Sequence, residues 1–169
     1  MKRYGTLLLV GALSACAANP TPTQLGVAHR GEALDFGFGA LDGSVVTGEN
    51  TRGRVTALLF VTTYDLPSQV AARRLGEVVS RHTPRVNAVA IVLEAAENAP
   101  LVDVFRSSLR LRYPVAIADV VELRGSAAFS NVDRVPTLVL LDRQGREVRR
   151  HFGGFDAQNL RAWLREAQR

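Results

Sequence analysis

Three runs composed almost entirely of apolar residues stand out against the polar stretches around them. They occupy residues 55–62, 86–93 and 137–141. Strands that are covered on both faces have this composition, because both rows of side chains are buried. The pattern therefore predicts three central strands of one sheet.

The segment between the first two runs has a helical period instead. Val70, Leu75, Val78 and Val79 fall on one side, and charged side chains fall largely on the other. This spacing predicts an amphipathic helix over residues 67–82, ended by a proline at position 84.

Two more helices are expected, over residues 101–111 and 157–167, the second with Asp156 as its N-cap. The sequence DRQG at residues 142–145 lies between an apolar run and an alternating one, which is typical of a hairpin turn. Strands that alternate with helices indicate an α/β domain with a central mixed sheet flanked by helices.

The first 16 residues have the layout of a secretory signal: two basic residues, a short apolar run at 7–13, then small residues. The run is shorter than the roughly 20 residues of a transmembrane helix. Residues 13–16 read LSAC and resemble the lipobox of bacterial lipoproteins, which implies that Cys16 is acylated. The alternative is an ordinary signal peptide, cleaved near Ala15 or Ala18, that happens to carry a cysteine.

The sequence predicts three parts: a lipoprotein signal peptide over residues 1–16, a flexible polar tether over 17–32, and one domain over 33–169. By the sorting pattern of lipoproteins, Ala17 after the cysteine implies an outer membrane anchor with the domain facing the periplasm. More than one acyl chain gives stable membrane attachment, whereas a single chain binds only marginally.

Cys16 is the only cysteine among the 169 residues. The domain can therefore form no internal disulfide, hold no thiolate-bound metal and carry out no dithiol chemistry. The formal charge is +5, and the arginines are scattered along the chain without a dense block. That pattern favours solvated faces and argues against a nucleic-acid partner.

Several segments resemble thioredoxin-like proteins of the TlpA/ResA type, which are related to peroxiredoxins. The resemblance covers roughly residues 34–168 and includes LDF at 34–36, FVTTY at 60–64, YPV at 113–115, VPT at 135–137 and LLDRQG at 140–145. The order and spacing of these segments imply a thioredoxin-like fold, with Pro136 in the position of the family's cis proline.

The chain departs from this family where its members carry Cys-x-x-Cys. The aligned tetrad is Asp65, Leu66, Pro67 and Ser68. In the family a thiolate lies at the helix N-terminus, where backbone N–H groups lower its pKa. A carboxylate can cap that helix but cannot form a disulfide, so we expect no catalytic residue here.

The resemblance also implies a place where a partner could bind. A proline at position 136 leaves the preceding backbone free to pair with an extended peptide, and Tyr64, Leu66 and Val135 could frame a shallow apolar groove. An inherited turn without a binding role is the alternative for Pro136.

Other chemistry finds little support in the sequence. His29, His82 and His151 are not at ligand spacing from one another and are interpreted as exposed, singly placed imidazoles. Ser68 has no predictable base. No phosphate-binding glycine motif is present, and GFG at residues 37–39 is interpreted as a strand end and turn. We expect neither a metal nor an organic cofactor.

Three functions remain open. The first is a redox-inactive lipoprotein that binds an envelope protein or peptide through Asp65 and Pro136, and we expect this one. The second, by resemblance alone, is a thiol-disulfide oxidoreductase or antioxidant enzyme acting with another protein's thiols. The third is a structural envelope lipoprotein whose domain is only a spacer.

Overall fold

The computed structural model describes residues 31–169. The predicted signal peptide with Cys16, the tether up to residue 30 and His29 lie outside the described residues. Within the described part of the chain, no helix is both long and apolar enough to cross a membrane.

The centre of the domain is a five-stranded mixed sheet, preceded by a small antiparallel hairpin of β1 (Gly37–Gly39) and β2 (Val45–Thr47). The sheet has the order β5-β4-β3-β6-β7. Its strands are β3 (Thr56–Val61), β4 (Asn87–Leu93), β5 (Val115–Ala118), β6 (Thr137–Leu141) and β7 (Glu147–Phe152).

Strand direction gives the sheet two distinct ends. Strands β3, β4 and β5 are parallel, so all three begin at one end, here named the amino end, and finish at the carboxyl end. Strand β6 is antiparallel to β3 and pairs Leu141 with Thr56, so the β6–β7 turn lies at the amino end. Strand β7, antiparallel to β6, returns to the carboxyl end.

Four helices cover the sheet: α1 (Leu66–Val79), α2 (Ala99–Ser108), α3 (Val120–Gly125) and α4 (Ala157–Ala167). Apolar side chains of α1, α2 and α4 pack on one face, where Leu75, Phe105 and Leu164 are buried. The other face is covered by the hairpin, by α3 and by Phe129. Both faces of the central strands are thus buried, as their continuous apolar sequence requires.

The structure confirms the mixed sheet and most of the elements predicted from the sequence. Helix α4 and its N-cap Asp156 have the predicted bounds, and so does β6. The predicted bounds were wrong for α1, which starts at Leu66 and ends at Val79, and for α2, which spans Ala99–Ser108.

Two further expectations are corrected. Val70 is 44% exposed and does not belong to the buried face of α1, because that face is formed mainly by Ala71, Ala72, Leu75 and Val78. Glycines 37 and 39, which the sequence suggests to be a strand end and turn, belong to β1. Helix α3 was not predicted.

Candidate functional site

Asp65 lies at the junction between β3 and α1, at the carboxyl end of the sheet. Its backbone is extended, with φ −101° and ψ 135°, so α1 starts only at Leu66. Asp65 Oδ1 accepts a hydrogen bond from the backbone N–H of Ser68 at 2.7 Å. This is the geometry of an N-cap, which satisfies an N–H group that the first turn of a helix leaves free.

The second oxygen of the same carboxylate also has partners inside the domain. Asp65 Oδ2 accepts from Ser68 Oγ at 2.5 Å and from Thr62 Oγ1 at 3.0 Å. Ser68 is fully buried, and its Oγ accepts from the backbone N–H of Thr62 at 3.3 Å. Asp65 and Ser68, which the sequence resemblance aligns with the family's two cysteines, therefore join the end of β3 to the start of α1 through oxygen atoms.

Glu94 is a further member of this junction that the sequence reasoning missed. It is buried directly after β4, and its Oε1 accepts from Thr63 N at 2.8 Å and from Thr63 Oγ1 at 2.6 Å. The carbonyl of Thr63 accepts from Gln69 Nε2 at 2.9 Å. The sequence shows only that a carboxylate directly follows an apolar run, because the contact itself depends on β3 and β4 being neighbours in the sheet.

Pro136 lies beside this junction because of the strand register. Thr137 pairs with Phe60, so the segments before Thr137 and after Phe60 leave the sheet side by side. The Val135–Pro136 peptide bond is cis. Pro136 is buried, and its carbonyl accepts from the N–H of Gly153 at 2.8 Å.

Val135 differs from its neighbours in its backbone contacts. Among the hydrogen bonds within residues 31–169, neither its N–H nor its C=O has a partner. Its side chain is half-buried. The backbone of Val135 thus offers one donor and one acceptor at the carboxyl end of the sheet.

Large apolar side chains are exposed around the junction. Tyr64 is 79% exposed, Leu66 is 69% exposed, and Phe152, at the end of β7, is 38% exposed with the Arg134 guanidinium 5.2 Å from its ring centre. We call Tyr64, Asp65, Leu66, Val135 and Pro136 the junction surface.

The junction surface is not a deep pocket. A cavity of about 880 Å³ lies towards the amino end of the sheet, where Val86 and Asn87 line it together with Arg110 and Tyr113. None of the junction residues lines it. A shallow surface of this kind suits a polypeptide segment better than an enclosed small molecule.

Solved structures with the same arrangement of elements establish the fold. A DsbF homologue from Corynebacterium diphtheriae superposes with a TM-score of 0.71 at 16% identity, over 83% of this chain and 88% of that one. The fold is thioredoxin-like. StoA from Bacillus subtilis gives 0.63 at 21% identity, covering 77% and 96% of the two chains.

A third structure similar to this thioredoxin-like domain is the pneumococcal exposed lipoprotein thioredoxin Etrx1 from Streptococcus pneumoniae strain TIGR4. Its TM-score is 0.66 at 17% identity, over 79% of this chain and 99% of that one. No protein-family model and no curated protein sequence matches the chain. The solved structures thus establish the fold of the domain and leave its activity to be argued from its own residues.

The described histidines of the thioredoxin-like domain are not exposed single imidazoles. His151 stacks on Trp163 with 4.7 Å between ring centres, and His82 is half-buried, with Nε2 buried and lacking a partner among the described residues. Between residues 31 and 169, no group of three or more His, Cys, Asp and Glu side chains is arranged to hold a metal ion.

Proposed function

We propose that this protein is a membrane-anchored, redox-inactive thioredoxin-like lipoprotein of the cell envelope that binds an extended segment of a partner protein. The binding site is the junction surface. The observation that carries the proposal is that the N–H and C=O of Val135 have no hydrogen-bond partner within residues 31–169 and lie beside the exposed side chains of Tyr64 and Leu66. A backbone with unused hydrogen-bonding groups next to apolar side chains is what strand addition requires.

The absence of redox activity follows from the chemistry of the two aligned positions. Disulfide exchange needs a thiolate as nucleophile, and residues 17–169 contain no cysteine. The oxygens of Asp65 and Ser68 are held in hydrogen bonds to each other and to Thr62. They stabilise the junction and supply no group that exchanges electrons with sulfur.

The position of the chain entry supports an anchored domain whose junction surface is accessible. The N–H of Leu34 donates to the carbonyl of Gly145 at 2.9 Å, in the β6–β7 turn at the amino end. The chain therefore enters the domain at the end opposite to the junction surface, and the predicted lipid attachment site, Cys16, precedes this entry point in the sequence. We propose the outer membrane as the site of the anchor, with the domain facing the periplasm.

Site-specific photocrosslinking in intact cells tests the binding site. A photoreactive residue replaces Leu66 in one strain and Leu101, which is 51% exposed on α2, in a matched control strain. We expect a defined adduct from position 66 that position 101 does not give, with crosslinked residues of the partner confined to one short segment. Equal adducts from both positions, or none from position 66, would contradict the proposal and favour the role of a spacer.

The resemblance to disulfide oxidoreductases favours a second candidate, an enzyme that acts with the thiols of another protein. The similarity to the DsbF homologue and to StoA is its only support. Turnover by the purified chain in a disulfide reduction or peroxidase assay would establish it.

A further inference from the structure

Arginines that are far apart in the sequence lie together at the amino end of the sheet. Arg52 and Arg54 belong to the loop before β3, and Arg81 and Arg85 belong to the loop before β4. Because β3 and β4 are parallel neighbours, their preceding loops lie side by side. Four exposed guanidinium groups thus come from two adjacent loops.

Four more arginines join them from other elements. Arg110 and Arg112 lie in the loop before β5, and Arg143 lies in the β6–β7 turn. Arg169 follows α4, which ends near the loop before β4, since Gln168 Nε2 donates to the carbonyl of Pro84 at 3.3 Å. All eight side chains are exposed.

These arginines keep their charge uncompensated by direct contacts. Each salt bridge found in residues 31–169 involves other arginines, including Arg146, which pairs with Asp142 at 2.7 Å. Glu77, Glu147 and Glu166 also lie towards this end and pair with Arg73, Arg150 and Arg149. Four more acidic side chains, Glu32, Asp35, Asp42 and Glu49, form no salt bridge within residues 31–169. The eight arginines outnumber these four, so the amino end carries an excess of positive charge, and we call it the basic end.

The carboxyl end has the opposite character. The acidic residues that follow its strands are Asp65 after β3, Glu94 and Glu97 after β4, Asp119 after β5 and Asp156 after β7. Arg134, which precedes β6 at the same end, pairs with Asp133. Acidic side chains therefore outnumber basic ones around the junction surface, and the domain carries its excess of positive charge at the end where the chain enters.

We infer that the basic end docks on an anionic phospholipid surface, an inference that rests on the proposed lipid anchor at Cys16. The chain from Cys16 reaches the domain at this end, through Leu34 and the β6–β7 turn. A segment of that length spans at most about 60 Å when fully extended. The anchor therefore limits how far the basic end can move from the lipid headgroups, and the attraction of its arginines has to supply the docking itself.

The physical basis is the attraction of guanidinium groups to phosphate. Arginine matches phosphate with paired hydrogen bonds, and anionic lipids attract basic residues within about 8 Å at physiological salt. Docking by this end directs the junction surface away from the membrane. The two surfaces then have separate tasks, one to orient the domain and the other to bind a partner.

Vesicle binding of residues 17–169, without the predicted signal peptide and Cys16, tests this inference in the absence of the acyl anchor. The vesicles contain phosphatidylethanolamine with or without phosphatidylglycerol, and binding is measured by co-sedimentation at low and at physiological salt. One variant carries Arg54→Gln, Arg85→Gln and Arg143→Gln at the basic end. A control variant loses the same charge elsewhere, through Arg124→Gln, Arg134→Gln and Arg161→Gln.

We expect binding that requires phosphatidylglycerol and weakens with salt. Each arginine should contribute about fivefold to the affinity for vesicles, so the basic-end variant should bind about a hundredfold more weakly than the protein with all its arginines. The affinity of the control variant should stay within about twofold of that protein. Equal losses in both variants, binding that ignores phosphatidylglycerol, or equally strong binding to a DNA duplex would overturn the inference. The assay involves no junction residue, and acylation of Cys16 is measured separately by mass spectrometry. Failure of lipid docking can therefore be distinguished from failure of the proposed function.

Discussion

Asp65 and Ser68 form two hydrogen bonds with each other, one to the backbone N–H of Ser68 at 2.7 Å and one to its hydroxyl at 2.5 Å. Disulfide oxidoreductases of this fold use a pair of sulfur atoms at the aligned positions, according to the sequence resemblance. The oxygen pair connects β3 and α1, and in our proposal it supplies no redox chemistry. The structural role of this pair and the proposed absence of redox chemistry can be tested independently.

The first prediction concerns the stability that the cap provides. Asp65→Ala should lower the free energy of unfolding by about 1 kcal/mol, because an N-cap is lost, whereas Asp65→Asn should retain most of it, since asparagine is an equally good cap. Urea unfolding followed by circular dichroism measures both.

A matched control for the cap is Asp156→Ala, where the carboxylate accepts from Asn159 N at 2.7 Å at the start of α4. It should cost a similar amount while leaving partner binding unchanged. An alanine at position 65 without effect on stability, or an asparagine as costly as the alanine, would contradict the capping role.

The second prediction concerns the exposed side chain of Leu66. Leu66→Gln should change the free energy of unfolding by less than about 0.5 kcal/mol, because the side chain is on the surface. It should nevertheless reduce partner capture from envelope extracts severalfold, measured against Leu101→Gln as the control. If both variants capture the partner equally well, Leu66 is not part of the binding surface.

The third prediction concerns acid stability and Asp142 in the β6–β7 turn. Burial by itself would raise the pKa of Asp142, but hydrogen bonds from the backbone and guanidinium of Arg146 and from the backbone of Gln144 outweigh it, so the pKa is lowered. The ionised carboxylate therefore stabilises the fold above its unfolded pKa, and the contribution is lost as the pH falls through the folded value.

Asp142→Asn should accordingly cost about 1–3 kcal/mol at neutral pH, and the gap to the parent chain should narrow below about pH 4. Asp103→Asn, which removes an exposed pair with Arg106, should change stability by less than about 0.5 kcal/mol throughout. A constant gap across the acid range would show that the charge of Asp142 has no such role.

The sequence pattern predicted the longer elements, in which a regular apolar stripe or a continuous apolar run extends over several residues. Helix α4 has a regular apolar stripe and a clear cap in Asp156, and both were predicted correctly. Helix α3 escaped prediction because it has only six residues and begins with two β-branched valines, Val120 and Val121, which favour strands.

The contacts of the candidate site could be anticipated only in part. Asp65 was recognisable because the resemblance aligns it with the family's first cysteine, at a helix N-terminus where a carboxylate can act as the cap. The contact between Thr63 and Glu94 joins residues 31 positions apart and depends on β3 and β4 being neighbours in the sheet. The pattern along the chain does not contain that information.

The distribution of charge is the clearest case of a property that the sequence conceals. Arg54, Arg85, Arg112 and Arg143 are separated by about 30 residues each, and the sequence therefore indicates scattered arginines on solvated faces. Parallel strands bring the preceding loops to one end of the sheet. Only the topology shows that the charges form a single surface.

The absence of redox activity is tested most directly by a disulfide reduction assay on two matched proteins. One is the full chain with Cys16→Ser, and the other carries Asp65→Cys and Ser68→Cys in addition, with dithiothreitol as the electron donor and insulin as the substrate. We predict no turnover above background for the first protein and measurable turnover for the second, because a thiolate at this helix N-terminus is activated. Turnover by the protein that contains no cysteine would contradict the account.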